Sequence, residues 1–136
     1  MAVPPEEKYA ALHELAERGR EIERRRGPDP YPSPTGPPPN LTELRRRRDE
    51  IAQVAARHRV GTVWIFGSVA RGDARPDTDL DVLVDLGERG TLFDQAALQG
   101  SLEDLLGCPV PVISTGGLRQ ARAETRERIE REAVRL

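Results

Sequence analysis

Half of the fourteen positions from Gly27 to Asn40, "GPDPYPSPTGPPPN", are proline. Proline withholds a backbone donor and excludes the helix interior, so this stretch reads as an extended, semi-rigid linker. It divides the 136-residue chain into a short segment, residues 1–26, and one domain-sized segment, residues 41–136. Any packed core must come from the second.

Residues 5–26 carry Tyr9, Leu12, Ala16, Gly19 and Ile22 at spacings of three and four, which predicts an amphipathic helix. Its stripe would dimerise the chain, fold back on the domain or grip a partner; its residues do not choose among these. The chain is 37% apolar and 32% charged with net charge −2, so a general nucleic-acid-coating role is not expected. Cys108 is the lone cysteine and excludes an intrachain disulfide. The start "MAVPPEEKYAAL" lacks the charge and apolar pattern of a signal peptide, and no apolar run approaches the ~20 residues of a membrane span. A cytoplasmic protein is expected.

Beyond the linker, Asn40 and Glu43 fit a capping box opening a helix over 41–59, with Gly61 as its stop. "TVWIF" (62–66) and "LDVLVDL" (80–86) predict strands, "TLFDQAALQGSLEDLLG" (91–107) a helix, "PVPVIS" (109–114) a third strand and 118–136 a charged helix. This order implies a mixed α/β class, a small mixed sheet packed on helices.

Between the first two strands lies "GSVARGDARPDTDLDVLVD" (67–85). Asp79 and Asp81 share a strand face about 6.6 Å apart, where two like charges need a positive partner. Hard carboxylate oxygens suit Mg²⁺, whose sphere is commonly completed by substrate phosphates. Gly67 lets the backbone approach a phosphate, and the Ser68 hydroxyl and nearby N–H groups, opening a short helix, can donate to it. A bare D-x-D is more often a solvated, strand-capping turn. Asp77, Asp79, Asp81 and Glu88 also match a calcium loop in part, but Val82 stands where that loop needs glycine.

The whole stretch, with Gly67, Ser68, Ala70, Arg71, Gly72, Asp79 and Asp81, resembles the signature of the minimal nucleotidyltransferases of the DNA polymerase β superfamily. Thr78 stands where these usually carry serine, and the similarity runs from about Leu41 to Leu136. The resemblance implies a nucleotidyltransferase fold and an antitoxin partnered with a HEPN-type RNase toxin, silenced by AMP transfer from ATP. It implies Asp79 and Asp81 as catalytic ligands of Mg²⁺ or Mn²⁺, and Gly67, Ser68 and Arg71 as nucleotide-binding residues. Arg71 would equally brace the loop through an ion pair.

One departure matters. The family adds a third acid on the following strand, but here Pro111 occupies that place, and no Asp or Glu lies between Asp104 and Glu124. Asp85 is about 13 Å beyond Asp81 along its strand. Glu103 and Asp104 sit on the preceding helix, where the sequence gives no reason for an approach. Nucleotide binding with reduced or absent transfer is the resulting expectation, with neutralisation by direct binding. A transferase for a small hydroxyl compound, or a non-catalytic binding module, are the alternatives. His13, His58, Cys108 and Trp64 read as packing or surface residues, and Arg45–Arg48 as a solvated helix face.

Overall fold

The computed structural model describes residues 34–136. The expected 5–26 helix, and half of the proline linker, lie outside the described residues. From Asn40 onward come α1 (Leu41–Arg46), α2 (Arg48–Arg57), β1 (Thr62–Phe66), α3 (Gly67–Arg71), β2 (Asp81–Asp85), α4 (Leu92–Leu106), β3 (Val112–Ser114), α5 (Thr115–Gln120), α6 (Ala123–Glu132) and β4 (Val134–Arg135). The four strands form one mixed sheet in the order β3-β2-β1-β4. Strand β1 is antiparallel to β2, with Phe66 opposite Asp81, and antiparallel to β4, with Trp64 opposite Arg135. Strand β3 runs parallel to β2, Val82 opposite Val112.

Alternation along each strand divides the apolar side chains between two layers. Val63, Ile65, Val82, Val84 and Val112 face α1, α2 and α4 in the larger core, with Leu44, Ile51, Leu98 and Leu102. Trp64, Phe66, Leu83 and Ile113 face α5 and α6 in a smaller one, with Leu118 and Ile129. The expected small mixed sheet packed on helices is therefore present.

Several boundaries differ from expectation. The 41–59 helix is interrupted at Arg47, whose side chain donates to the Leu105 carbonyl (3.2 Å) and to Glu50 (3.1 Å), tying the junction to α4. Its stop is Arg59, not Gly61: Arg59 takes the left-handed conformation (φ 62°), and the Val60 N–H bonds back to the Ala55 carbonyl at 2.9 Å. Burying Val60 sets where the chain must turn, and the helix-stopping glycine at 61 cannot move it. The 118–136 helix is instead two helices and a strand. Ala121 and Arg122 are extended, so Leu118 packs under β2 and β3 while Ile129 packs under β1. Val134 then pairs with Ile65.

The third strand is shorter than expected, 112–114 rather than 109–114. Prolines 109 and 111 explain it. Both turn their carbonyls to β2, accepting from the Leu80 and Val82 N–H groups at 3.0 Å each. In a strand a residue's nitrogen and carbonyl point the same way, so the donors that proline lacks are inner ones, and the ladder closes only beyond Pro111. Strand β3 is an edge strand, where proline is tolerated, and its outer side is covered by one row of α4 side chains. Gln95 donates to the Val112 carbonyl (2.8 Å), while Gln99 accepts from the Val112 N–H and Glu103 from the Val110 N–H (3.3 Å each). Side chains four residues apart on a helix thus satisfy an edge that would otherwise recruit another strand.

Replacing Gln99 by Ala leaves the Val112 N–H without that acceptor and should cost about 1–3 kcal/mol, read as a lower urea midpoint. Exposed Ala97→Ser on the same helix should stay within about 0.5 kcal/mol.

Candidate nucleotide-binding site

The candidate residues meet where β1 ends and β2 begins. Strand β1 delivers its last residue, Phe66, opposite Asp81, and the chain turns at once into the single-turn helix α3. The turn needs Gly67 twice over. Its φ is +73°, and a Cβ there would overlap the Asp81 Oδ2 and lie 3.2 Å from Cγ. The backbone at 67 is therefore laid directly on the Asp81 carboxylate. Helix α3 is closed by Gly72 at φ +83°, with the Asp73 N–H bonding back to the Ser68 carbonyl at 3.0 Å. Val69 pins the turn to the main core. The two glycines of G-S-x-A-R-G are thus the two left-handed ends of one helical turn.

The loop back to β2 is fastened by Thr78. Its hydroxyl donates to the Arg75 carbonyl (2.8 Å) and accepts from the Arg75 N–H (3.1 Å). A serine hydroxyl would do the same, so the threonine preserves the loop. Asp79 and Asp81 follow in extended chain, with Leu80 between them fully buried on the opposite side. Alternation then sets both carboxylates on the α5–α6 face of the sheet. Asp79 is half-buried and Asp81 is 8% exposed. The structure therefore brings Gly67, Ser68, Asp79 and Asp81 to one end of the sheet.

Arg71 projects from α3 to two carboxylates, Asp73 at 3.3 Å and Glu132 at 3.1 Å. Burial disfavours its charge, but the hydrogen bond to Asp73 and the pull of both acids outweigh that and raise its pKa. Glu132, on α6, also takes a 3.3 Å contact from Arg128. The bracing that sequence allowed for Arg71 is what the geometry displays. Its partner Glu132, sixty-one positions away, had no sequence signal because the pair is made only by packing α6 beside α3.

The register of β2 and β3 decides the third acid. Val82 opposite Val112 sets Asp81 level with Pro111, and alternation turns Pro111 to the face that carries the aspartates. A ring fills the place from which a third carboxylate would reach the pair. Glu103 is buried but approaches β3 from the other layer and is held by the Val110 N–H. Asp85 is exposed at the far end of β2, where it accepts from the Gly87 N–H. Among the described residues no group of three or more His, Cys, Asp or Glu side chains is arranged to hold a metal ion. The two hard carboxylates fit a Mg²⁺ ion shared with a phosphate and do not fit one caged by protein alone.

Cys108 adjoins this end of β3. Burial first, then the charges of Glu103 and Asp79, push its thiol up to about 11. It is a packing thiol, as its sequence surroundings suggested. His58 bonds the Ser101 hydroxyl at 3.0 Å and joins α2 to α4.

Comparison with known proteins agrees with this geometry. The nucleotidyltransferase domain family matches residues 44–136, and the chain belongs to that family. A Methanocaldococcus jannaschii protein provisionally named a protein adenylyltransferase is 34% identical over 95 residues, 70% of this chain and 96% of the relative. The protein adenylyltransferase MntA of Thermococcus cleftensis is 36% identical over 85 residues, 57% of this chain and 86% of the relative. A solved structure provisionally described as a minimal nucleotidyltransferase is 45% identical, with TM-score 0.61 over 72% of this chain and 97% of that one. A toxin-antitoxin crystal structure with AMP-PNP shares the fold at 17% identity, with TM-score 0.53 over 64% of this chain and 69% of that one. No helix among the described residues is long and apolar enough to cross a membrane.

Gly67→Ala should destabilise the protein by about 2–4 kcal/mol, combining the left-handed penalty with overpacking against Asp81. Adding Asp81→Ala should recover part of that loss, giving a coupling of about 1–2 kcal/mol in a double-mutant cycle read by urea denaturation. In the native protein Cys108 should resist a thiol reagent at pH 8 and react fully once unfolded.

Proposed function

We propose that this chain is a nucleotidyltransferase-fold antitoxin that binds a Mg²⁺–nucleoside triphosphate, ATP by preference, and neutralises a HEPN-type RNase toxin mainly by contact, its AMP transfer being weak. The observation that carries the reading is the register that sets Pro111, with no carboxylate, beside Asp81. The names of its relatives support the class of chemistry and the toxin-antitoxin setting.

In the full reaction an acceptor hydroxyl oxygen bonds to the α-phosphorus, the α–β bridging P–O bond breaks, and pyrophosphate leaves while the hydroxyl proton is removed. Mg²⁺ bound with the nucleotide would neutralise phosphate charge. Asp79 and Asp81 would hold that ion. Gly67 and Ser68 would present backbone N–H groups and a hydroxyl to phosphate oxygens, in a turn that no side chain at 67 obstructs. Arg71 supports this turn through Glu132, so its effect on the nucleotide is one of position. The missing element is the base near the acceptor. Without a third carboxylate the hydroxyl is not made more nucleophilic and its proton passes to water. Binding survives this loss, because the triphosphate supplies most of the cation's ligands.

The test is transfer of label from α-³²P-ATP to the toxin encoded beside this protein. Pro111→Asp should raise the rate by about 10²-fold or more, the contribution typical of a positioned base. The Asp79→Asn/Asp81→Asn variant should transfer nothing yet still bind the toxin. Fast transfer by the wild-type protein, unchanged by Pro111→Asp, would overturn the reading.

A further inference from the structure

Helix α4 is apolar on two sides. Leu98 and Leu102 enter the main core, while the opposite side exposes Leu92 (79%) and Phe93 (87%). Ala96, Ala97 and Gly100 continue the exposed side one and two turns on. This end of the helix is firmly built. Thr91 and Asp94 form a reciprocal capping box, so Phe93 stands on a fixed first turn. A helix apolar all round is ordinarily covered all round.

The chain itself supplies a cover. Gly36 lies against the carbonyl of Gly107, the residue that caps the C-terminal end of α4, 3.4 Å from its carbon for a Cβ built on Gly36. The described chain therefore begins close to the end of this same helix. Residues 27–35, at about 3.1 Å each when extended, span up to about 28 Å, more than the roughly 22 Å length of α4. The segment they tether, residues 5–26, carries the one apolar stripe outside the domain: Tyr9, Leu12, Ala16, Gly19 and Ile22. If helical it is about 33 Å long, enough to cover α4 end to end.

We infer that residues 5–26 of this chain dock parallel to α4, on the face formed by Leu92, Phe93, Ala96, Ala97 and Gly100. Charge favours this direction. Arg24, Arg25 and Arg26 then meet the exposed Asp104 and the negative, C-terminal end of α4, while Glu6 and Glu7 meet its positive end and Arg89. The family match begins at residue 44, so the cover is an addition to the shared domain. This docking is independent of whether the aspartate site transfers AMP.

The test uses the full-length chain with Ala16→Cys and Ala97→Cys and a short bismaleimide; native Cys108 is 0% exposed and stays unreactive. An intramolecular link should form about tenfold faster than in a control pair, Ala16→Cys with Glu130→Cys on exposed α6, because docking raises the effective concentration of the first pair. Adding Phe93→Asp should reduce the rate to that of the control. Amide hydrogen exchange across residues 9–22 should be slowed in the wild-type protein and should speed up in Phe93→Asp, with the sheet unchanged. Equal rates for the two pairs, cross-linked dimers as the main product, or an absence of protection over 9–22 would each overturn the proposal.

Discussion

The close approach of the Gly67 backbone to the Asp81 carboxylate organises this end of the molecule. Strand β1 must end, reverse its chirality for one residue and start a helical turn, all against a buried acid on the neighbouring strand. A side chain at 67 is excluded sterically and by φ, so the motif's glycine is a packing requirement before it is a functional one. Once that turn is fixed, Val69 anchors it below, Gly72 closes it, and Arg71 fastens it sideways to Glu132 on α6. The Gly67–Gly72 turn and the two aspartates are thereby parts of one unit.

The edge strand tells the opposite story, of a site feature that is absent. Two prolines shorten β3, and α4 compensates by lining its outer side with Gln95, Gln99 and Glu103. The sheet thus keeps a protected edge although the strand can donate little to the ladder. On the proposed reading its catalytic contribution is not compensated. Glu103, a buried acid on α4, accepts from the Val110 N–H on the other layer. On that reading stability and chemistry have separated here: the strand is held without the acid that transfer would use.

Sequence made the site more legible than the fold's ends. Gly67, Ser68, Asp79 and Asp81 were readable because their spacing follows from a strand–turn–helix and from two-residue alternation, both local rules. The gap at Pro111 was readable too, because no carboxylate exists in any register of that strand. What sequence could not supply was set by distant packing. Val60, seeking the core, placed Arg59 in a left-handed conformation that Gly61 would have taken more easily. The tail, expected as one continuous helix, is broken because the buried Leu118 and Ile129 have their targets under different strands. Strand β4 and the Arg71–Glu132 pair likewise exist only because α6 lies beside β1 and α3.

On the proposed reading, a two-carboxylate site that lacks its third member would bind a nucleotide with one cation instead of two. Counting cations is therefore the most direct measurement of the account. Mn²⁺, titrated by electron paramagnetic resonance into the protein saturated with a non-hydrolysable ATP analogue, should occupy one site per chain, lost in Asp79→Asn/Asp81→Asn. A second tightly bound Mn²⁺ in the wild-type protein, or no nucleotide-dependent Mn²⁺ at all, would contradict it.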